Sequence, residues 1–304
     1  MTDAALLPSW NEGPTRDAVL AFLAASGELP PERRVAVLDN DGTLWCEKPQ
    51  YTQVEFMLHE LQRAVAERPE LAERAEYRAI IDRDQAALGQ LGLARVALAL
   101  AELHMGLTPE EFEARAREFV AVEAHPEHKR PYSRMVYQPM LELLAALRAH
   151  GFATFVVSGG GVEFVRAVSL GLYGVAPEGV VGTAVTYEYQ RRDDHPVLLR
   201  TARLLGDPNE GPTKVSNIQY QLGRRPVFAA GNSGGDREML EYATAAEGPS
   251  LALLVNHDDA EREYAYESKA ATFAEAEPIL SVADRLGWTV VSMARDWARV
   301  FPDG

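Results

Sequence analysis

Four short apolar runs in this chain each stop abruptly at a polar or glycine-rich turn, and this pattern constrains the fold more than any other feature. Val35-Ala36-Val37-Leu38 ends in Asp39-Asn40-Asp41-Gly42-Thr43. Phe152–Val157 ends in Ser158-Gly159-Gly160-Gly161. Val227–Ala230 ends in Gly231-Asn232-Ser233-Gly234-Gly235-Asp236, and Leu251–Val255 ends in Asn256-His257-Asp258-Asp259. A run that is apolar without alternation suits a strand buried on both faces. Helical patterns flank the runs at 14–26, 139–150, 162–171, 213–222 and 235–243, and Trp288–Ser292 reads as a last strand. Strands alternating with helices predict an α/β fold: a Rossmann-like parallel sheet with helices on both faces. In such a sheet the four turns share one edge, where ligands of open α/β sheets bind.

The alternation breaks between residues 46 and 139. Only helical patterns occur there, at about 51–67, 71–88, 92–104 and 109–123, the last opened by the capping box Thr108-Pro109-Glu110-Glu111. The reading is therefore an α/β core of residues 1–45 and 140–304 carrying an inserted all-helical domain of residues 46–139. Val180 to Tyr189 reads as an extended stretch or a hairpin arm.

Composition narrows the partners. The 304 residues carry 30 basic and 45 acidic side chains, a formal charge of −15. A surface so acidic repels phosphate backbones and anionic membranes, so neither nucleic acid nor a membrane is expected as partner. The single cysteine, Cys46, makes no internal disulfide and no cysteine-based zinc site. No stretch of about 18 apolar residues occurs, and the N-terminal residues lack a basic-then-apolar leader. A cytoplasmic location is the expectation, and the oligomeric state is left open.

Several residues at the turns admit two readings. Asp39 and Asp41, one residue apart, fit an Asx turn leaving a strand. They equally fit a site where a cation or a shared proton separates two carboxylates, a hard ion such as Mg²⁺ being suited to oxygen ligands. One carboxylate can then attack while the other handles protons. Ser158 and its glycines make either a tight turn or an anion cradle before a helix. Lys214 is either a solvated lysine or the cation that a bound phosphate needs. Asn232 and Asp236 are either helix caps or metal oxygens. Trp45, Tyr51, Tyr132 and Tyr137 flank the junctions of the insertion, as hinge packing or as an aromatic wall for a cationic headgroup.

Taken together, these residues resemble the haloacid dehalogenase superfamily of phosphohydrolases. Asp39-x-Asp41-Gly42-Thr43 is similar to its first motif, Ser158 to its second, Lys214 to its third and Gly231–Asp236 to its fourth. The insertion after the first motif is similar to the helical type-one cap of the phosphoserine phosphatase branch. The resemblance implies a magnesium-dependent phosphatase of a small phosphorylated metabolite. Asp39 would be the nucleophile, forming an aspartyl-phosphate, and Asp41 the acid and base. Thr43, Ser158, Gly159 and Lys214 would hold the phosphate. Mg²⁺ would lie on the Asp39 carboxylate, the Asp41 carbonyl and Asn232 or Asp236. Glu47, one position short of the family's substrate-binding glutamate, is the candidate cap contact to substrate. The family has Asp where this chain has Asn232, which removes one negative charge and predicts loose Mg²⁺ binding that Asn232→Asp would tighten. Dehalogenation uses the same nucleophile but has no need of Asp41, and a catalytically weak binding or regulatory protein is the third reading, supported by Asn232 alone.

Overall fold

The computed structural model describes residues 6–303; residues 1–5, the start of the stretch in which no leader is expected, lie outside the described residues. Helix α1 (Pro14–Ala25) leads into strand β1 (Val35–Leu38). Helices α2 (Thr52–Glu67), α3 (Ala75–Ile81), α4 (Gln85–Leu91), α5 (Leu93–Glu102) and α6 (Pro109–Val122) follow. Then come α7 (Gln138–Ala149), β2 (Ala153–Gly161), α8 (Val162–Tyr173), β3 (Val180–Thr183), β4 (Val185–Arg192), β5 (His195–Leu204) and α9 (Pro212–Leu222). The chain closes with β6 (Phe228–Gly231), α10 (Arg237–Thr244), β7 (Leu251–Asn256), α11 (Ile279–Leu286) and β8 (Thr289–Ser292). Among the described residues, no helix is long and apolar enough to cross a membrane.

A six-stranded sheet of order β3-β2-β1-β6-β7-β8 forms the core, and every pairing in it is parallel. The apolar run of β1 has a direct cause. Ala36 and Leu38 enter one hydrophobic cluster with Phe22, Leu143 and Val165 from α1, α7 and α8, whereas Val35 and Val37 enter another with Ile218, Met239 and Val282 from α9, α10 and α11. Each face of the strand is thus covered, so no position alternates to water. The expected α/β architecture is what the chain adopts.

The inserted helices carry a small core of their own around Leu61, Tyr77, Ala99 and Leu100. The capping box at α6 forms as read: the Thr108 hydroxyl accepts from the Glu111 N–H, and the Glu111 carboxylate accepts from the Thr108 N–H at 2.8 Å. The helix read over 71–88 is instead broken. A 3-10 turn covers Pro69–Glu73, Arg83 adopts φ of 53°, and Asp84 starts α4 by accepting from the Ala87 N–H.

Two further features depart from the sequence reading. The stretch read from Val180 to Tyr189 as extended or as a hairpin arm divides: Val180–Thr183 is β3 of the core sheet, and from Val185 the chain forms the first arm of the long antiparallel hairpin β4–β5, whose second arm left little trace, with half of its residues exposed and only Leu199, Arg200 and Thr201 buried in sequence. Its turn places Asp193 and Asp194 at φ of 48° and 62°, without the glycine such a turn favours. The hairpin docks on the helical insertion, where Gly106 N–H donates to the Arg200 carbonyl and Arg200 N–H to the Leu107 carbonyl. The glycine run after Ser158 is not a turn but the end of β2. Gly161 pairs with Thr183 beyond a register shift, and α8 begins at Val162.

Candidate active site

The ends of β1, β2 and β6 bring together Asp39, Asp41, Ser158, Lys214, Asn232 and Asp236. Lys214, in the first turn of α9, is buried and donates three hydrogen bonds: to Asp39 Oδ1 at 2.6 Å, to Asp236 Oδ1 at 2.6 Å and to the Val157 carbonyl at 2.9 Å. The lysine is therefore a bridge between the first and fourth turns and not a solvated side chain. The other oxygen of Asp236 accepts from the backbone N–H groups of Asn232 and Ser233, both at 3.0 Å. One carboxylate thus shapes the loop and fixes the lysine.

Asp39 hangs from β1, with its N–H on the Ala230 carbonyl and its Oδ2 accepting from the Thr43 hydroxyl at 3.2 Å. Burial and neighbouring Asp236 push its carboxyl well above the ordinary range, against the pull of Lys214. Asp236 and Asp39 in turn hold the Lys214 ammonium above the usual lysine range, outweighing its own burial. Asp41 faces the same space. It accepts from Trp45 Nε1 at 2.9 Å and from Asn40 Nδ2 and the Ser158 hydroxyl, both at 3.4 Å. Burial raises its pKa despite the opposing Trp45 hydrogen bond. A carboxyl that keeps its proton to higher pH suits a general acid.

Gly42 is glycine for two reasons. Its φ is +73°, and a Cβ there would lie 1.9 Å from Asn232 Nδ2 and 2.9 Å from Glu47 Cδ. Asn232 and Glu47 therefore close on the first turn together. Both are buried, and burial raises the Glu47 pKa, His257 opposing.

Above these groups opens a cavity of about 350 Å³. Asp39, Asp41, Glu47, Lys214, Asn232 and Gly159 line its floor. Its roof comes from two separate chain segments: Val54, Met57, Ala97 and Phe112 of the helical insertion, and Arg200 and Leu204 of the hairpin. Arg200 is held by Glu163 at 2.6 Å and lies over the Phe112 ring at 4.1 Å. Of the four aromatics at the junctions, Tyr51 lines this cavity, whereas Trp45, Tyr132 and Tyr137 are buried in packing.

Sequence reasoning did not find Gln53, Asn209 or Arg200. Gln53 accepts from the Gly161 N–H at 2.7 Å, and the Asn209 side chain donates to the Ser158 carbonyl at 2.9 Å, so both pin the end of β2. None of the three lies in a motif or at a strand end, so only the folded chain brings them to the site.

Among the described residues, no group of three or more His, Cys, Asp and Glu side chains is arranged to hold a metal. Two oxygens of different kind nevertheless converge: Asp39 Oδ2 and Asn232 Oδ1 lie 3.2 and 3.5 Å from the same Thr43 hydroxyl. Carboxylate, carbonyl and amide oxygens suit a hard cation. Two of the carboxyls at this floor, Asp39 and Asp236, are bridged by Lys214, while Asp41 and Glu47 line the same cavity without a direct bond to it.

Residues 36–241 match the model of the haloacid dehalogenase-like hydrolase family. No curated protein matches the chain. Among solved structures, a conserved, functionally unknown protein from Anaerococcus prevotii DSM 20548 is 15% identical with a TM-score of 0.56, covering 94% of each chain. A protein of unknown function from Bordetella pertussis Tohama I is 18% identical with a TM-score of 0.53, covering 86% of this chain and 99% of its own. A probable phosphoserine phosphatase from Vibrio cholerae is 15% identical with a TM-score of 0.42, covering 90% of this chain and 73% of its own.

Proposed function

Because the chain belongs to the haloacid dehalogenase-like hydrolase family, we propose that it is a magnesium-dependent phosphatase acting on a small phosphomonoester through a phosphorylated Asp39. The observation that carries this reading is the placement of Asp39 and Asp41 on one cavity floor, one clamped by Lys214 and the other held as a proton carrier.

The geometry supports the following roles. An Asp39 oxygen attacks phosphorus, and the bond to the leaving oxygen breaks as Asp41 gives that oxygen its proton. Asp41, now a carboxylate, takes a proton from water, whose oxygen attacks phosphorus and releases phosphate and Asp39. Lys214 offsets the charge on Asp39 and on the phosphoryl oxygens, Gly159 lines the same cavity, and the buried Thr43 and Ser158 hydroxyls support it from behind by donating to Asp39 and Asp41. Mg²⁺, held by Asp39, the Asp41 carbonyl and Asn232, would supply the further positive charge that phosphoryl transfer requires. Asp236 serves this reading through Lys214 and the loop, since both its oxygens are already engaged. The cavity of about 350 Å³ under this mainly apolar roof has room for a small metabolite. Nothing in the site favours dehalogenation, in which Asp41 would be idle.

The test is a panel of phosphorylated metabolites with and without Mg²⁺, using wild type and Asp39→Asn. The expected result is phosphate release that needs Mg²⁺ and disappears in a folded Asp39→Asn protein. Near-normal release by that variant refutes the covalent role of Asp39.

A further inference from the structure

We propose that Glu47 carries the negative charge that position 232 lacks, by holding the Asn232 amide with its oxygen turned toward Asp39; this rests on the metal-dependent reading above.

The argument begins with the amide itself. Asn232 is buried between two groups of neighbours. On one side the Thr43 hydroxyl lies 3.5 Å from Oδ1, and that hydroxyl also donates to Asp39 Oδ2. On the other side Nδ2 has Glu47 Oε1 at 3.3 Å, Ser268 Oγ at 3.3 Å and His257 Nε2 at 3.5 Å. An amide can be turned over with little change in shape, so its neighbours must choose the orientation. Ser268 cannot choose, because a hydroxyl both donates and accepts. His257 Nε2 does not ask for an N–H, because it lies 2.9 Å from the Gly42 carbonyl and must direct its own hydrogen there. Only the Glu47 carboxylate requires a donor at this place. It therefore sets Nδ2 away from Asp39 and leaves Oδ1 as the oxygen offered beside Asp39.

The charge argument points the same way. With aspartate at 232, two buried carboxylates would meet at the position where Asn232 Nδ2 and Glu47 Oε1 now stand 3.3 Å apart, with no hydrogen between them. Like charges so placed repel strongly when desolvated. The pair Asn232 and Glu47 holds one negative charge, as a single aspartate at 232 would, but sets it one hydrogen bond further from the ion. Asn232 and Glu47 are then one unit, and neither can be altered alone without loss. Glu47 is a positioning residue in this scheme.

Calorimetric titration of Mg²⁺ into wild type, Glu47→Gln, Asn232→Asp and the double variant tests the pairing without any turnover. Thermal unfolding without metal serves as the control for folding. Ligand charge tunes affinity for such ions by decades, so Glu47→Gln should weaken Mg²⁺ by about tenfold or more. Asn232→Asp, which the charge count of the sequence alone expects to tighten the site, should instead be no tighter than wild type, because its added carboxylate meets Glu47. The double variant restores the pair with the roles exchanged, the amide at position 47 donating to the carboxylate at position 232, and should bind within a few-fold of wild type. A Glu47→Gln isotherm equal to wild type, tightening by Asn232→Asp alone, or a double variant as weak as Glu47→Gln each overturns the pairing. Wild type that binds no Mg²⁺ overturns the metal reading as well, whereas normal wild-type binding with an unaffected Glu47→Gln overturns the pairing alone.

Discussion

Replacing Lys214 by methionine removes the one cation that Asp39 and Asp236 share while keeping most of the side-chain volume. The structure sets the size of the effect. Lys214 is 2% exposed, and its three hydrogen bonds end on two buried carboxylates and the carbonyl of Val157. Loss of one partner from a buried ion pair leaves uncompensated charge and costs about 3–5 kcal/mol. For a chain of this size roughly 2 °C accompanies each kcal/mol, so the unfolding midpoint should fall by about 6–10 °C at pH 8. The sign with pH follows from Asp39. Its folded-state pKa is already raised by burial and Asp236, and it rises further once Lys214 no longer opposes. A raised folded-state carboxyl prefers the neutral form, so the associated stability is present at acid pH and is lost as pH rises through the folded pKa. The gap between variant and wild type should therefore shrink toward pH 5. Differential scanning fluorimetry across pH 5–8, without Mg²⁺, measures it. A Lys214→Met protein that unfolds within about 2 °C of wild type at pH 8, or a gap that widens toward acid, refutes the claim that this lysine holds the two carboxylates in place.

Two other expectations follow from the same geometry. Asp41→Asn cannot exchange protons, so single-turnover phosphorylation by alkyl phosphates should slow roughly a hundredfold or more while aryl phosphates, whose leaving groups need no proton, lose less; equal losses would remove Asp41 from the acid role. Burial, with Arg200 and Arg115 adding, depresses the His104 pKa from 6.5 to about 3, so the folded chain refuses a proton that the unfolded chain accepts. Stability should fall between those pH values by up to about 1.4 kcal/mol per unit, and His104→Phe, whose ring fits between Phe56 and Phe112, should flatten that dependence; unchanged acid unfolding would contradict it.

Much of the molecule was legible in the sequence because its signals are local. The apolar run Val35–Leu38 can be satisfied only by cover on both faces, so it announced a central parallel strand. The Thr108–Glu111 box needs only neighbours three residues apart, and it formed as read. The four turns were recognisable as one edge because parallel strands must end on the same side. Tertiary structure decided what depends on partners far apart in the chain. The second arm of the hairpin β4–β5 was hidden because its burial follows no period of two and the turn before it lacks glycine. Arg200 reaches the cavity only because that hairpin leans on the helical insertion. For Lys214 the sequence left a solvated lysine and a phosphate cation both open, and only the path of α9 put it between Asp39 and Asp236, 175 and 22 residues away. Asn232 and Glu47, 185 residues apart, meet only across Gly42. Residue types and turn chemistry are set by the sequence within a few positions; charge pairing and burial are properties of the packed whole, and at this site they decide which oxygen faces which.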